Sequence, residues 1–348
     1  MRRAASLLTG LLLVFATACD GVDQENVSDR LPSVPPPLAT PAGSGSDPPR
    51  PTVATGECNT GAAAEQASAQ TNAISRRTLS WSPFGRPEYG WETYAPRIGQ
   101  TIGTLCPPDT PGFAKALARW QASRALPADG ALKPEQFDIM KVDWHRQRPY
   151  VELRGEGVCP DAPPERVLAV ARVDEGYGGK VVMLRPAVLA ALRRMQADAR
   201  AQVPEIARDR QMLTIFSAYR DPDADAARCA REGNCDGIRR ASCSVHRTGL
   251  AVDLVVGNAP GHPVDSTNDV NRLYMSQTPA YRWLVQNAGR YGFVNYAFEP
   301  WHWEYVAEPI EVAPGGYRLA PGRSRADADV GSGTEGGGAT YGRGTRPR

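Results

Sequence analysis

One acid, Asp253, stands in the middle of an apolar run, Leu250-Ala251-Val252-Asp253-Leu254-Val255-Val256. The β-branched content of that run is that of a buried strand. An ionised carboxylate inside such a strand is costly unless it is paired or bound to a metal. Any fold this chain adopts must therefore bring Asp253 a partner.

The nearest candidate is His246, in the string SVHRTGLAVD at 244–253. A straight strand would place residues seven apart on opposite faces. Gly249 lets the chain turn between them, after which His246 can come back beside Asp253. A loop histidine and a strand aspartate supply one nitrogen and one oxygen ligand, both suited to Zn²⁺. An open catalytic site needs a third. The chain has four histidines. His262 lies in the loop-like NAPGHPVD and is expected at the surface. His145 lies in a connection and is expected to be structural or solvated. His302, in EPWHWEY at 299–305, is the remaining choice.

Two histidines and one aspartate leave a fourth position for water. Zinc lowers the pKa of such a water toward about 7, and a carboxylate must then accept its proton. Glu299 is the candidate base. On a regular strand it would point away from His302. Pro300 argues against a regular central strand, so a bulge or turn at 299–301 is expected to bring Glu299 to the metal side. Glu304 is the rival, because strand geometry puts it on the face of His302.

SAYR (217–220), SVHRTGLAVD and EPWHWEY, in this order, resemble the signature segments of zinc peptidases of the VanY and VanX type. These are D-alanyl-D-alanine carboxypeptidases and dipeptidases. The pattern S-x-H-x-x-G-x-A-x-D is matched by Ser244, His246, Gly249, Ala251 and Asp253, and E-x-W-H by Glu299, Trp301 and His302. The resemblance spans residues 160–308. It implies that His246, Asp253 and His302 bind zinc and that Glu299 is the base. It also implies that Arg220 faces the substrate, stabilising an oxyanion or a carboxylate with its planar, permanently charged donor fork. Ser244 and Trp301 join Arg220 as implied substrate-binding residues. The implied fold is α+β: a small antiparallel sheet with helices on one side and zinc in a cleft, preceded by a small helical domain. Within it, residues 186–195 read as a helix with Val188, Leu189, Leu192 and Met195 on one face, and residues 212–220 as a strand ending in Arg220.

The departure from the family pattern is residues 221–243, which hold Cys229, Cys235 and Cys243. They read as a disulfide-stapled insertion beside the site. Their C-x5-C and C-x7-C spacings match no familiar zinc pattern.

Upstream, Phe113, Ala116, Leu117 and Trp120 fall at helical spacing, Asp129-Gly130 is a turn signal, and Pro134 can open a further helix. Residues 88–142 resemble the three-helix peptidoglycan-binding domain of cell-wall hydrolases, with Trp120-Gln121 and Asp129-Gly130 matching its helix end and turn. The alternative is an unrelated helical lead-in.

The N-terminus carries Arg2 and Arg3, an apolar stretch at 7–15 and Ala16-Thr17-Ala18 before Cys19. Residues 1–18 read as an export signal too short to span a membrane. They resemble a bacterial lipoprotein signal, which implies lipidation of Cys19. Plain cleavage after Ala18 suits the same residues. Of seven cysteines, six remain if Cys19 carries lipid: Cys58, Cys106, Cys159, Cys229, Cys235 and Cys243. An even set in an exported chain reads as disulfides, with 15 pairings open. Residues 19–57 form a Pro-rich linker that would reach about 100 Å when extended. Residues 312–348, rich in Gly and Arg, are expected to be disordered.

A net charge of +2 and the absence of a basic block argue against a nucleic-acid partner. The sequence thus predicts an exported, membrane-anchored lipoprotein in the periplasm or envelope, a monomer that acts on peptidoglycan. Its expected reaction is zinc-dependent hydrolysis of stem peptides at the terminal D-Ala-D-Ala bond. An endopeptidase of the same family is the alternative. A wall-binding lipoprotein with a structural zinc is a third reading, against which Glu299 weighs, because a structural site needs no base.

Overall fold

A computed structural model describes residues 55–232 and 243–312. The signal, Cys19, most of the linker, Cys235 and the tail from residue 313 lie outside the described residues. The last linker positions fall in a short helix, Thr55–Cys58.

The first part is helical: α1 (Ala63–Thr78), α2 (Ala95–Ile102), α3 (Pro111–Ser123) and α4 (Pro134–Arg146). Helices α3 and α4 open with Pro where a missing N–H costs nothing. Thr110 caps α3 by accepting from the Phe113 amide. Phe113, Ala116, Leu117 and Trp120 are all buried, joining Phe137, Met140 and Trp144 of α4 in one core. The Asp129-Gly130 turn is held by side chains. The Gln121 amide accepts from Gly130 N (2.7 Å) and donates to Ala131 O (3.0 Å), while Asn72 donates to Gly130 O (2.8 Å). Gly130 has φ +71°, and a Cβ there would meet Ala114 O at 2.6 Å, so only glycine fits. Helix α1 was not anticipated. Its sequence has almost no large apolar residues, and it buries only Ala69 and Asn72.

The second part is built on a four-stranded antiparallel sheet: β1 (Ile215–Ser217), β2 (Ala251–Leu254), β3 (Phe293–Asn295) and β4 (His302–Tyr305), in the order β1-β2-β4-β3. With the helices this is the expected α+β architecture. On one face Val252, Leu254 and Trp303 share a core with Val188, Leu189, Leu192 and Met195 of α5 (Pro186–Gln202). Tyr281 and Leu284 of α7 (Pro279–Asn287), which follows α6 (Asp269–Gln277), belong to the same core. The opposite face carries Ala251, Asp253, His302 and Glu304. A smaller cluster of Tyr150, Cys159, Cys243, Val245 and Ala251 packs there. The strand expected over 212–220 is only three residues long. Leu213 adopts φ +64°, which breaks extended geometry before Ile215.

The two parts are not separable by packing. Tyr296, Ala297 and Phe298, from the β3–β4 loop, lie in the same core as Phe84, Tyr94 and Phe137 of the helical part. All described residues fall within one compact unit. The sequence expectation of two regions meeting near residue 150 did not foresee this shared core, because its apolar residues lie far apart along the chain.

Among the described residues Cys58 is joined to Cys106 and Cys159 to Cys243, spanning 48 and 84 residues, and Cys229 is disulfide-bonded as well. Thiol titration of the denatured, unreduced protein should find none of these free. Replacing Cys159 and Cys243 by Ser should cost about 4.6 kcal/mol in urea unfolding, the loop-entropy value for such a span. An unchanged urea midpoint would show that the bridge does not form.

Candidate active site

The register of the sheet assembles the site. Asp253 of β2 stands directly opposite His302 of β4, and Ser217 of β1 opposite Asp253 on the other side. Cross-strand partners face the same way, so both side chains leave the apolar face and meet. His302 Nδ1 lies 2.9 Å from Asp253 Oδ1.

His246 arrives from a loop. Ser244 Oγ accepts from the His246 amide (3.3 Å) and caps a short 3₁₀ turn, Val245–Thr248. Gly249 ends that turn at φ +70°, where a Cβ would press on Leu168 at 2.9 Å. The chain then enters β2. The reversal brings His246 Nε2 to 3.3 Å from Asp253 Oδ2 and 3.2 Å from His302 Nδ1. One ligand atom from each of the three residues lies within 4.8 Å of the others, and all three side chains are buried.

The outward nitrogens fix how the rings face each other. His246 Nδ1 lies 2.7 Å from Ala218 O, a pure acceptor, so it carries the hydrogen. His302 Nε2 lies 3.2 Å from Glu304 Oε1, which assigns its hydrogen likewise. Both rings therefore point their inner nitrogens at one another and at a carboxylate. Two lone pairs 3.2 Å apart require a cation between them, either a proton or a metal ion. The donor set fits a small divalent ion, with both histidines oriented from outside as metal-binding histidines usually are.

The charges agree with this. Burial would raise the Asp253 carboxyl, but the charges and hydrogen bonds of His246 and His302 hold it well below the usual range. Burial, aided by the Arg220 charge, lowers His246 against the pull of Asp253. Burial would also lower His302, yet its hydrogen bonds to Asp253 and Glu304 prevail and raise it to about 9.

Glu299 and Glu304 sit on different sides of His302. Two consecutive turns shape the β3–β4 loop: the Glu299 amide donates to Tyr296 O (2.9 Å), and the His302 amide donates to Glu299 O (3.0 Å). They bring Glu299 Oε2 to 4.0 Å from His302 Nδ1, the inner nitrogen, with the residue 1% exposed. Glu304 touches the outer nitrogen. It is also gripped by Arg148, whose Nε and Nη2 donate to Glu304 Oε1 at 2.9 and 2.6 Å. Burial would raise Glu304, but the Arg148 charge and the contact with His302 bring it down to about 2.

Arg220 borders the cluster, its Nη2 donating to Asp253 Oδ2 (3.1 Å) and its Nε to Ser217 Oγ (3.1 Å). Ser244 caps the His246 turn. Trp301 is 2% exposed and packs in the apolar core of the sheet. His145 and His262 lie outside the cluster. Sequence reasoning did not find Arg148 or the Ala218 carbonyl. Arg148 lies 156 residues from Glu304, and no local pattern marks either.

Residues 182–308 match the family model VanY, D-alanyl-D-alanine carboxypeptidase. This segment is a VanY-type domain. It begins just before α5 and ends after β4, so it contains the whole cluster, whereas Arg148 and the helical part lie outside it. No curated protein matches the chain.

Metal binding should release protons. A ligand must be unprotonated to bind, and His302, raised to about 9, carries a proton at pH 7 in the metal-free protein. Below that value each pH unit should weaken the apparent metal affinity about tenfold, while above it the affinity should level off. Calorimetry at pH 7 in buffers of different ionisation heat should register about one proton released per ion. Release of none would refute this picture of His302.

Proposed function

We propose that this chain is a zinc-dependent peptidase that removes the terminal D-alanine from peptidoglycan stem peptides. The observation that carries the reading is the division of labour between two carboxylates. Glu299 stands on the metal side of His302, its Oε2 4.0 Å from the inner nitrogen, while Glu304 is tied to Arg148 on the far side.

The two inner nitrogens lie 3.2 Å apart and each lies within 3.3 Å of one Asp253 oxygen, His302 Nδ1 beside Oδ1 and His246 Nε2 beside Oδ2, a nitrogen and oxygen donor set that suits zinc. When bound, zinc would supply Lewis acidity and an acidified water. His246, Asp253 and His302 would hold it, leaving one position open as in catalytic rather than structural sites. Glu299 would accept the proton of the attacking water and pass it to the leaving amine nitrogen. Arg220, anchored on Ser217 and Asp253, would offer its remaining donors to an oxyanion or a substrate carboxylate. Ser244 would add a hydrogen bond. Glu304 would hold the His302 ring in the orientation that binds metal.

The compartment belongs to the same proposal. The disulfides support an oxidising location. With the export signal and Cys19, this favours a lipoprotein of the cell envelope. The Gln121-held turn at Gly130 is compatible with a wall-binding role for the helical part.

The test is digestion of purified peptidoglycan and of a soluble pentapeptide ending in D-Ala-D-Ala, with products identified by mass. Free D-alanine is expected. Cleavage of crosslinks alone would make the chain an endopeptidase. Glu299→Gln should lower kcat by about 10²–10⁴ while keeping its zinc. His302→Ala should lose much of the metal, and Glu304→Gln should weaken metal affinity about 10–100-fold yet retain a base. Near-normal turnover in Glu299→Gln beside a dead, zinc-loaded Glu304→Gln would reverse the two assignments.

A further inference from the structure

The residue before Glu299 is held by two arginines. Phe298 has the Arg272 guanidinium carbon 4.0 Å from its ring centroid and that of Arg86 at 5.3 Å. Arg272 Nε also donates to the Phe298 carbonyl at 2.8 Å. That carbonyl belongs to the peptide leading directly into Glu299. On the next peptide, Asn295 Nδ2 donates to Glu299 O (3.1 Å) and to His302 O (2.8 Å). The backbone of Glu299 is thus gripped from both sides.

Arg272 is 0% exposed, an expensive place for a charge. Its other nitrogens are committed to acids and a phenol. Nη1 faces Glu88 (3.2 Å) and Asp269 (3.1 Å), and Nη2 donates to the Tyr94 hydroxyl, which donates in turn to Glu88 (2.7 Å). Arg86 pairs with Asp269 and donates to Thr267 O. Two arginines and two carboxylates balance. An apolar cluster of similar volume would fill this space at least as stably, whereas the charged set fixes one geometry. Arg86, Glu88 and Tyr94 come from the helical part, before the VanY-type segment begins.

We propose that Arg272, braced by Glu88 and Tyr94, is the positioning residue for Glu299, so that the helical part completes the active centre as well as adjoining it. This rests on the reading of Glu299 as the base. A base must be held within a fraction of an ångström of its productive place, and a loop on two turns needs outside support for that.

Arg272→Lys keeps the charge but loses the fork that reaches Phe298 O, Glu88 and Tyr94 together. In the full-length, zinc-loaded protein it should lower kcat about 10–100-fold, with KM changed less than about twofold and zinc content unchanged. Combined with Glu299→Gln, it should change kcat by less than about twofold further, because the group it positions is already disabled. Hydrogen exchange gives a readout independent of turnover: the amides of Glu299 and His302 should exchange at least about tenfold faster, and those of β2 unchanged. Tyr94→Phe, which preserves every charge, should shift both readouts in the same direction by less and carries the test if Arg272→Lys does not fold. Equal losses of kcat with and without Glu299 would overturn the proposal, as would unchanged exchange in the loop. Should Glu299→Gln alone retain turnover, the base assignment fails, and the exchange rates still decide the clamp.

Discussion

The structure depends on satisfying one buried carboxylate. Asp253 is 2% exposed, and its two oxygens meet His302, His246 and Arg220. Each partner imposes a condition on the fold. His302 fixes the register of β2 against β4. His246 requires the 3₁₀ turn and the left-handed Gly249. Arg220 requires the chain to leave β1 just after Ser217. The apolar face of the same strands then has only one way to turn, toward α5 and α7. What looks like an expensive residue in a strand is the reference point from which the sheet is arranged.

Around this point the polar groups are graded by what they touch. Those on the outer nitrogens, Ala218 O and Glu304, orient the rings. Those on the inner side, Asp253 and Glu299, face the space between them. The Arg148 guanidinium, bidentate on Glu304 and stacked 4.3 Å over the Tyr296 ring, separates the roles of the two glutamates. A carboxylate neutralised by a buried arginine makes a poor proton acceptor but a good brace. That contrast depends on environment, because strand geometry alone would have favoured Glu304.

Much of the centre was legible in the sequence, for a physical reason. An acid in an apolar strand must find partners, and seven residues with one glycine leave His246 few places to go. Pro300 announced the irregular backbone that carries Glu299. The shortened first strand was not legible, since nothing in the string around Leu213 signals its positive φ. Nor was the grip on Phe298. Arg272 lies 178 residues from Tyr94, and a fully buried arginine resembles a surface one until its partners are known. Helix α1 escaped notice because it packs through small and amide side chains, which leave no apolar periodicity. Trp301, grouped with the site by its motif, turned out to belong to the core.

The loop between β3 and β4 has a further consequence, for length rather than composition. It carries two consecutive turns from Asn295 to His302, closed by Asn295 donating to both Glu299 O and His302 O. Surface loops usually absorb insertions and deletions easily. Here an added or lost residue must either deform the turns that aim Glu299 or slip β4 by one position. A slip would exchange the two faces of that strand, pointing Trp303 at the polar cluster and His302 into the core. The number of residues between the ends of this loop is therefore as tightly constrained as the identity of Glu299 itself.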